Sequence, residues 1–152
     1  MIIIGANPTI NHPVAATFFK NAAKDRAKLI IIDPRKQALS RHAAYHLQEK
    51  PGTDVALLNS IMQVIIEEDL VNKAYIENST EDYAQLKAHL ADYTPEAMAA
   101  KTGIAPDDVR AVARLFANAK AGMIFWGMGI SQHVHGTDNS RCLISLALLT
   151  GQ

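Results

Sequence analysis

The chain has 152 residues, enough for one domain with a single buried core. Hydrophobic residues make up 49% of it and charged residues 20%, a composition that is typical of globular proteins and argues against disorder. Fifteen basic and fifteen acidic residues give a formal net charge of zero, so nothing in the charge indicates capture of nucleic acid or of an anionic membrane.

We expect a chain that neither inserts into a membrane nor carries a signal peptide. No apolar run approaches the roughly 18 residues that a spanning helix needs. The opening residues, MIIIG, have no basic segment and no cleavage site. The single cysteine, Cys142, excludes an internal disulfide and is typical of a reducing compartment. The sequence therefore predicts a cytoplasmic location.

The first 50 or so residues alternate between strands and helices. Met1–Ile4 and Lys28–Ile32 are apolar runs of the kind that form buried strands, and Tyr45–Leu47 is a shorter third strand. Between them lie a predicted helix over about Pro13–Ala23 and a second helical segment over about Ala38–Ala43. The first helix carries three apolar residues on one face: Val14, Phe18 and Ala22. This alternation predicts a parallel, doubly wound sheet.

A turn at Pro51–Asp54 leads into the strongest amphipathic segment of the chain. Thr53 or Asp54 is the candidate N-cap of this helix. Its apolar positions recur at helical spacing and are Leu57, Leu58, Ile61, Met62, Ile65 and Ile66. Charge takes over at Glu67–Asp69, where we expect the helix to end.

The stretch from about 72 to 119 has a helical pattern throughout. Leu86 and Leu90 mark one helix, Thr94–Glu96 caps the start of another, and Pro106 stands at the first position of a third. The core face of that third helix carries Val109, Val112 and Phe116. A mainly helical insertion is therefore predicted between the third and fourth strands.

Met123–Trp126 is predicted as the fourth strand, and a loop containing Gly127 and Gly129 follows it. No internal repeat or low-complexity linker interrupts the chain. We therefore expect a single α/β domain over residues 1–152, with a Rossmann-like, mostly parallel sheet and the helical insertion.

The two ends of the chain carry a further expectation. The chain opens directly with a strand, and its last helix, over about Asn139–Thr150, is followed by Gly151 at the C-cap position. A helix that is apolar on nearly every side needs neighbours all round. We therefore expect a piece of a larger protein, whose uncovered apolar residues would drive self-association. These residues are Leu143, Ile144, Leu146, Leu148 and Leu149.

Four loops are candidates for a binding site, because ligands of open parallel sheets bind at the carboxyl ends of the strands. Each loop combines small or rigid backbone with one or two hydrogen-bonding side chains. The loops are Gly5–Pro8, Asp33–Lys36, Pro51–Asp54 and Gly127–Gln132. Such a set suits a large, flat ligand with phosphates, spread across the edge of the sheet.

The residue types in these loops match a nucleotide. Gly5 would let the backbone approach a phosphate closely, and Asp33, at a strand end, would take ribose hydroxyls. Arg35 offers a planar fork for a phosphate or a purine carbonyl. Asp54 would accept hydrogen bonds from the amino and imino protons of guanine, and the helix that it opens supplies free N–H groups for an anion.

Structural explanations compete with these interpretations. Asp33 could belong to a simple strand-ending turn, Asp54 could be only part of a cap, and Met128 could fill the core. An ordinary nicotinamide cofactor is disfavoured, because Gly5 stands alone in its loop and the G-x-G-x-x-G fingerprint is missing.

No catalytic or metal-ligating residue is predicted. His42 and His46 have ligand spacing on a predicted helix, but no cysteine or carboxylate nearby completes a set, so we expect a solvated or packing role. His133 and His135, in a predicted loop, make an equally weak metal site. Cys142 lies in an apolar helix and is interpreted as an inert core thiol. The chain has binding chemistry without reaction chemistry.

Taken in order, these loops resemble successive segments of the molybdopterin oxidoreductases. The matching stretches are Gly5–Pro8, Asp33–Arg35, Pro51–Asp54 and Trp126–His133. Two flanking stretches resemble the catalytic subunit of formate dehydrogenases in particular, namely Ile61–Leu70 and Leu143–Gln152. Each motif is weak alone, but the four occur in the right order and at these spacings over nearly the whole chain.

The resemblance implies a domain that contributes one part of a site for two molybdopterin guanine dinucleotides, which hold molybdenum or tungsten. For the nucleotide end it implies contacts from Asp33, Arg35, Gly52 and Asp54. For the pterin side it implies contacts from Asn7, Met128 and Gln132, with Asn7 touching pterin or phosphate.

The resemblance also implies an intact enzyme that oxidises formate to carbon dioxide and passes electrons to iron–sulfur centres. The family's cluster cysteines, its metal-ligating cysteine or selenocysteine and its formate-handling arginine lie outside this stretch, so we expect the isolated chain to be inactive. An isolated chain that binds no cofactor is compatible with this resemblance. The implied partners are the remaining domains and electron-transfer subunits, and the intact enzyme could be periplasmic. Alternatives are a nitrate reductase of the same family and a stand-alone nucleotide-binding module without a redox role.

Overall fold

The sheet has four parallel strands, described by a computed structural model that covers residues 1–152. The strands are β1 (Ile2–Ile4), β2 (Ile30–Ile32), β3 (Tyr45–Leu47) and β4 (Ile124–Trp126). They are arranged in the order β3-β2-β1-β4, and every neighbouring pair is parallel. The predicted α/β class and its parallel sheet are confirmed.

Helices fill the connections between the strands. They are α1 (Pro8–Asn11), α2 (Pro13–Asp25), α3 (Asp54–Glu67), α4 (Lys73–Ser79), α5 (Tyr83–Leu90), α6 (Pro95–Thr102), α7 (Pro106–Ala117), α8 (Met128–Ser131) and α9 (Gly136–Thr150). A short 3-10 helix spans Ala38–His42. The predicted helical insertion is formed by α4 to α7. Thr94 caps α6, since its hydroxyl oxygen accepts from the N–H of Ala97. The predicted core face of α7 is buried. No helix has the length and the apolar character needed to cross a bilayer.

The sheet separates two apolar cores, which explains why its first two strands are unbroken isoleucine runs. Ile2 and Ile4 point into the larger core, which also contains residues of α3, α7 and α9, whereas Ile3 points into the smaller one beneath α2 and the 3-10 helix. Side chains alternate between the faces of a strand, so a strand covered on both faces must be apolar at every position.

The central helix of the larger core is α3, which packs against α5, α6, α7 and α9. Its predicted apolar face is buried, but its polar face is buried as well. Every residue from Ala56 to Ile65 is buried, including the polar Asn59, Ser60 and Gln63. Contact with helices on several sides removes the solvent-exposed face that the sequence pattern predicts.

The apolar face that the sequence gives α2 is not the face that this helix turns to the sheet. Val14 and Phe18 are 72% and 71% exposed. The side turned to the sheet instead carries Ala16 and Phe19, whose ring lies edge-on to Phe125 with 4.8 Å between the ring centroids. Adjacent helical residues point about 100° apart, so the rotation of α2 on the sheet decides which of two neighbouring phenylalanines is buried.

The prediction that the apolar residues of the last helix lack packing partners was wrong. Leu143, Leu146 and Leu149 of α9 are no more than 3% exposed, because α3 and α4 pack against this helix. Only Ile144 among the five apolar residues singled out is largely exposed, at 51%. The premise of the predicted self-association therefore fails, while the expected C-cap is present, with Gly151 in the left-handed conformation at φ 69°.

Candidate functional site

An open cavity of about 710 Å³ lies at the carboxyl ends of the strands, within the ~300–1,000 Å³ typical of small-molecule sites. The loops after all four strands contribute to its wall. From β1 the chain moves through α2 to β2 on one side, whereas the helices after β3 return it to β4 on the other side of β1. The loops diverge at such a switch point, which is where open α/β sheets bind ligands.

The cavity brings together all the predicted binding residues except one. On its wall lie Gly5, Asn7, Asp33, Arg35, Gly52, Asp54 and Met128. Gln132 is exposed and does not line the cavity. The loop predicted after β4 is in fact the short helix α8, and Gln132 is the residue at which that helix ends. The cavity therefore does not bring Gln132 together with the other candidates, and its contact with the pterin stays a prediction.

The glycines after β1 and β4 allow close contact between two neighbouring loops. The N–H of Gly129 donates to the carbonyl of Gly5 at 2.9 Å, and a Cβ at Gly129 would lie only 2.5 Å from that carbonyl oxygen. A Cβ at Gly127 would lie 3.0 Å from the Cβ of Ala6. Gly5 itself has φ +56°. The backbone on either side of Met128 is therefore crowded, because these glycines let two neighbouring loops touch.

Asp33 is buried and stabilises its own loop. One carboxylate oxygen accepts from the N–H of Arg35 at 2.8 Å, and the other accepts from the Gln37 side chain at 3.4 Å. The same Gln37 nitrogen donates to the carbonyl of Ala6 at 2.9 Å, which ties the loop after β2 to the loop after β1. A carboxylate has about four acceptor sites, so Asp33 closes its turn and retains capacity to accept from a ligand.

His42 and His46 do not share a helix. His42 ends the 3-10 helix, and His46 lies in β3 with its Nε2 3.1 Å from the carbonyl oxygen of Asp33. No group of three or more histidine, cysteine or acidic side chains in the structure could hold a metal ion. Cys142 is half-buried, its Sγ donates to Asn59 Oδ1 at 3.4 Å, and burial raises the pKa of this thiol to about 11.

Asp54 is the first residue of α3 and is 5% exposed. Burial raises the pKa of its carboxyl group, while its own backbone N–H and the nearby His133 act in the opposite direction. Thr53 stands at the N-cap position, but its hydroxyl donates to the carbonyl of Lys50 at 2.7 Å and makes no cap. The predicted side-chain cap was wrong, so the N-terminal N–H groups of α3 have no such partner.

Apolar surface faces the cavity beside these polar groups. Met128 is 62% exposed and Trp126 46% exposed, and both line the wall. The alternative that Met128 fills the core is therefore wrong. An exposed thioether and an indole are suited to contact with a flat ring.

Sequence reasoning missed Glu49, which is 4% exposed and lines the same cavity. Its Oε2 has no hydrogen-bond partner. Burial, with smaller contributions from the neighbouring Asp54 and Asp33, raises the pKa of this carboxyl to about 8. The available signal was its position two residues before Pro51, at the start of a candidate binding loop.

The buried carboxyl groups share one location. Asp33, Glu49 and Asp54 are the acidic residues buried in this chain, and all of them line the cavity. Buried carboxyl groups are rare without partners. Their concentration on one wall gives the site carboxyl groups that can pair with N–H, hydroxyl or carbonyl groups, while the exposed Arg35 supplies a positive charge at the same wall.

The fold and this cavity define an α/β domain of the doubly wound, ligand-binding class. The family model for molybdopterin oxidoreductase matches residues 1–152. The chain belongs to the molybdopterin oxidoreductase family.

Similar proteins carry several different names. Formate dehydrogenase H from Escherichia coli (strain K12) is 40% identical over 151 residues, which are 99% of this chain and 21% of the relative. Nitrate reductase from Symbiobacterium thermophilum is 41% identical over 162 residues, with 99% and 21% covered. The structure of acetylene hydratase from Pelobacter acetylenicus superimposes with a TM-score of 0.90 at 29% identity, over 99% of this chain and 21% of that one. The chain thus spans about a fifth of the length of these proteins.

Proposed function

We propose that this chain is the part of a formate dehydrogenase catalytic subunit that holds the guanosine end of a molybdopterin guanine dinucleotide. The observation that carries the proposal is the location of Asp33, Glu49 and Asp54, the buried carboxyl groups of the chain, on the wall of one strand-end cavity. A guanosine offers donors that match Asp33 and Asp54, which are the ribose hydroxyls and the amino and imino N–H groups of the base.

The comparison with relatives supports a role in cofactor binding rather than in substrate choice. A formate dehydrogenase, a nitrate reductase and an acetylene hydratase all contain this region, although their names state different reactions. A region common to such enzymes is expected to serve what they have in common. For a molybdopterin oxidoreductase that is the pterin cofactor.

Each side chain has a chemical task in this proposal. Asp54 accepts from the guanine N–H groups, and Asp33 accepts from the ribose hydroxyls with its remaining lone pairs. Arg35 is exposed at the cavity and neutralises phosphate. Asn7 offers an amide to phosphate or pterin, and Met128 offers a soft surface to the ring. The hydrogen bond between the Gly129 N–H and the Gly5 carbonyl joins the loops after β1 and β4 and so holds Asn7 and Met128 near each other.

When bound, the cofactor would supply a molybdenum or tungsten centre that accepts the two electrons of formate oxidation. The residues of this chain bind and orient the nucleotide and supply no metal ligand or proton acceptor to that reaction. The remaining domains of the subunit and iron–sulfur electron-transfer partners would provide those groups, so we expect no formate oxidation by the 152-residue chain alone.

The proposal is tested with guanosine diphosphate and adenosine diphosphate in calorimetric titrations of the chain. We expect the guanosine nucleotide to bind more tightly, with a bidentate carboxylate contact contributing about 1–3 kcal/mol. Asp54→Asn should erase the preference, whereas Asp33→Asn should weaken both nucleotides equally. Asp92→Asn, at an exposed acid outside the cavity, is the matched control and should change neither. Equal affinities in the unmutated chain would contradict the proposal.

A nitrate reductase is the second candidate, because the relative from Symbiobacterium thermophilum is 41% identical. The cavity residues described above bear on the cofactor and do not separate the two. Reduction of nitrate, and no oxidation of formate, by the complete subunit would select this candidate.

A further inference from the structure

Glu49 is a buried acid to which none of the nucleotide contacts proposed above assigns a partner. It is 4% exposed and lines the cavity, and its Oε2 makes no hydrogen bond. Folded proteins rarely leave a buried polar atom without a partner, so such an atom requires an explanation. Because Glu49 lies on a cavity wall, a bound ligand can supply that partner.

Burial is the main influence on the protonation state of Glu49, ahead of the ionisable groups on the cavity wall. They come from every element that forms the wall: His12 before α2, Asp33 and Arg35 after β2, Asp54 at the start of α3, and His133 after α8. The adjacent Lys50 is engaged elsewhere, since its Nζ donates to the carbonyl of Ala100 at 2.8 Å. Burial, with the two carboxylates adding to it, raises the pKa of Glu49 to about 8. At neutral pH Glu49 is therefore mainly a neutral acid and a hydrogen-bond donor.

We propose that Glu49 is a specificity residue whose protonated carboxyl donates a hydrogen bond to the carbonyl oxygen of the guanine base, beside Asp54, which accepts from the same base. This inference rests on the proposed function. Guanine presents an acceptor at O6, whereas adenine presents an amino donor at the same place. An acid that donates and a carboxylate that accepts would together favour guanine and disfavour adenine.

Because Glu49 must be protonated to donate, the preference for the guanosine nucleotide should depend on pH. Above about pH 8, Glu49 releases its proton, and its carboxylate can no longer donate to a carbonyl oxygen. The preference for the guanosine nucleotide should therefore decrease as the pH rises through that value.

The test measures the ratio of affinities for guanosine and adenosine diphosphate at several pH values from roughly 6.5 to 8.7, a range that spans the ionisation. The ratio removes effects of phosphate ionisation, which the two nucleotides share. In the unmutated chain it should fall by roughly three- to tenfold, the range expected for loss of one hydrogen bond. Glu49→Gln keeps a donor that does not ionise and should hold the ratio high and constant. Glu49→Met keeps the side-chain length without a donor and should hold the ratio low and constant.

A second measurement needs no variant, in case a substitution disturbs folding. 6-Thioguanosine diphosphate carries a weaker acceptor in place of O6, and at neutral pH it should lose roughly the same three- to tenfold. Full affinity for this analogue, a constant ratio in the unmutated chain, or a pH dependence that persists in Glu49→Gln would overturn the inference. If guanosine is preferred and Asp54→Asn erases the preference while both Glu49 variants bind like the unmutated chain, only this inference fails. If guanosine is not preferred at any pH, the proposed function fails and the inference falls with it.

Discussion

The interior around α3 and the strand-end cavity are both buried, but their chemistry differs. The interior contains apolar side chains such as Leu58 and Ile61, each 0% exposed, and its buried polar residues are neutral. The cavity wall holds the buried acids Asp33, Glu49 and Asp54. A protein gains stability from the first arrangement and loses some by the second, because burying a carboxyl group without a full set of partners is unfavourable. The difference separates the part of the chain that stabilises the fold from the part that we propose to bind the nucleotide.

The largest effect is expected from truncating the interior. Leu58→Ala should lower the free energy of unfolding by about 2–5 kcal/mol, because a buried leucine loses its packing and leaves a cavity. Ile144→Ala in α9, where the side chain is 51% exposed, is the control and should change stability by less than about 0.5 kcal/mol. Denaturant titration measures both, and similar losses at the two positions would contradict the described packing.

Replacing the buried acid should have an intermediate effect that depends on pH. The folded chain keeps the Glu49 proton up to about pH 8, whereas an unfolded chain releases it near the ordinary value of 4.5. Ionisation of the unfolded state therefore lowers stability progressively as the pH rises from about 4.5 to 8, and the full penalty remains at higher pH. Glu49→Gln removes this dependence and should be more stable at pH 8 by on the order of 3 kcal/mol.

Denaturant titrations across that range give the measurement, and the difference between the two curves isolates Glu49 from the other titrating groups. Glu77→Gln, at an exposed residue of α4, is the matched control. Parallel curves for the unmutated chain and Glu49→Gln would show that the acid is ionised in the folded state.

The smallest effect on stability is expected at Met128. Its side chain is 62% exposed on the cavity wall, so Met128→Ala should change the free energy of unfolding by less than about 0.5 kcal/mol. A core methionine would instead cost about 2–5 kcal/mol. In the complete subunit the same change should lower cofactor occupancy. Thermal unfolding of the chain and the pterin content of the subunit are the two measurements, and a marked loss of stability with normal pterin content would remove Met128 from the site.

Local patterns determined much of the fold. The isoleucine runs of β1 and β2, the proline at the start of α7 and the glycine after α9 each depend on neighbours in sequence, and their predictions are confirmed. The candidate loops were predicted in the same way, since parallel strands bring their carboxyl ends to one edge. All but one of the predicted binding residues consequently lie on one cavity wall, although their contacts with a cofactor stay a prediction.

Tertiary structure decided the remaining features. The rotation of α2 buries Phe19 and exposes Phe18, and the cover on α9 comes from α3 and α4. Gly129 is required by contact with Gly5, more than 120 positions away in sequence, which no local pattern reveals.

Glu49 shows the same contrast between what the sequence determines and what the tertiary structure decides. The sequence by itself determined that an acid precedes a Pro-Gly turn. Only the packing of the loops around it decided that this acid is buried near Asp33 and Asp54. The physical reason is that residue type fixes which hydrogen bonds and charges are available, whereas desolvation and the distance to other charges, which set the pKa, exist only once distant segments have come together.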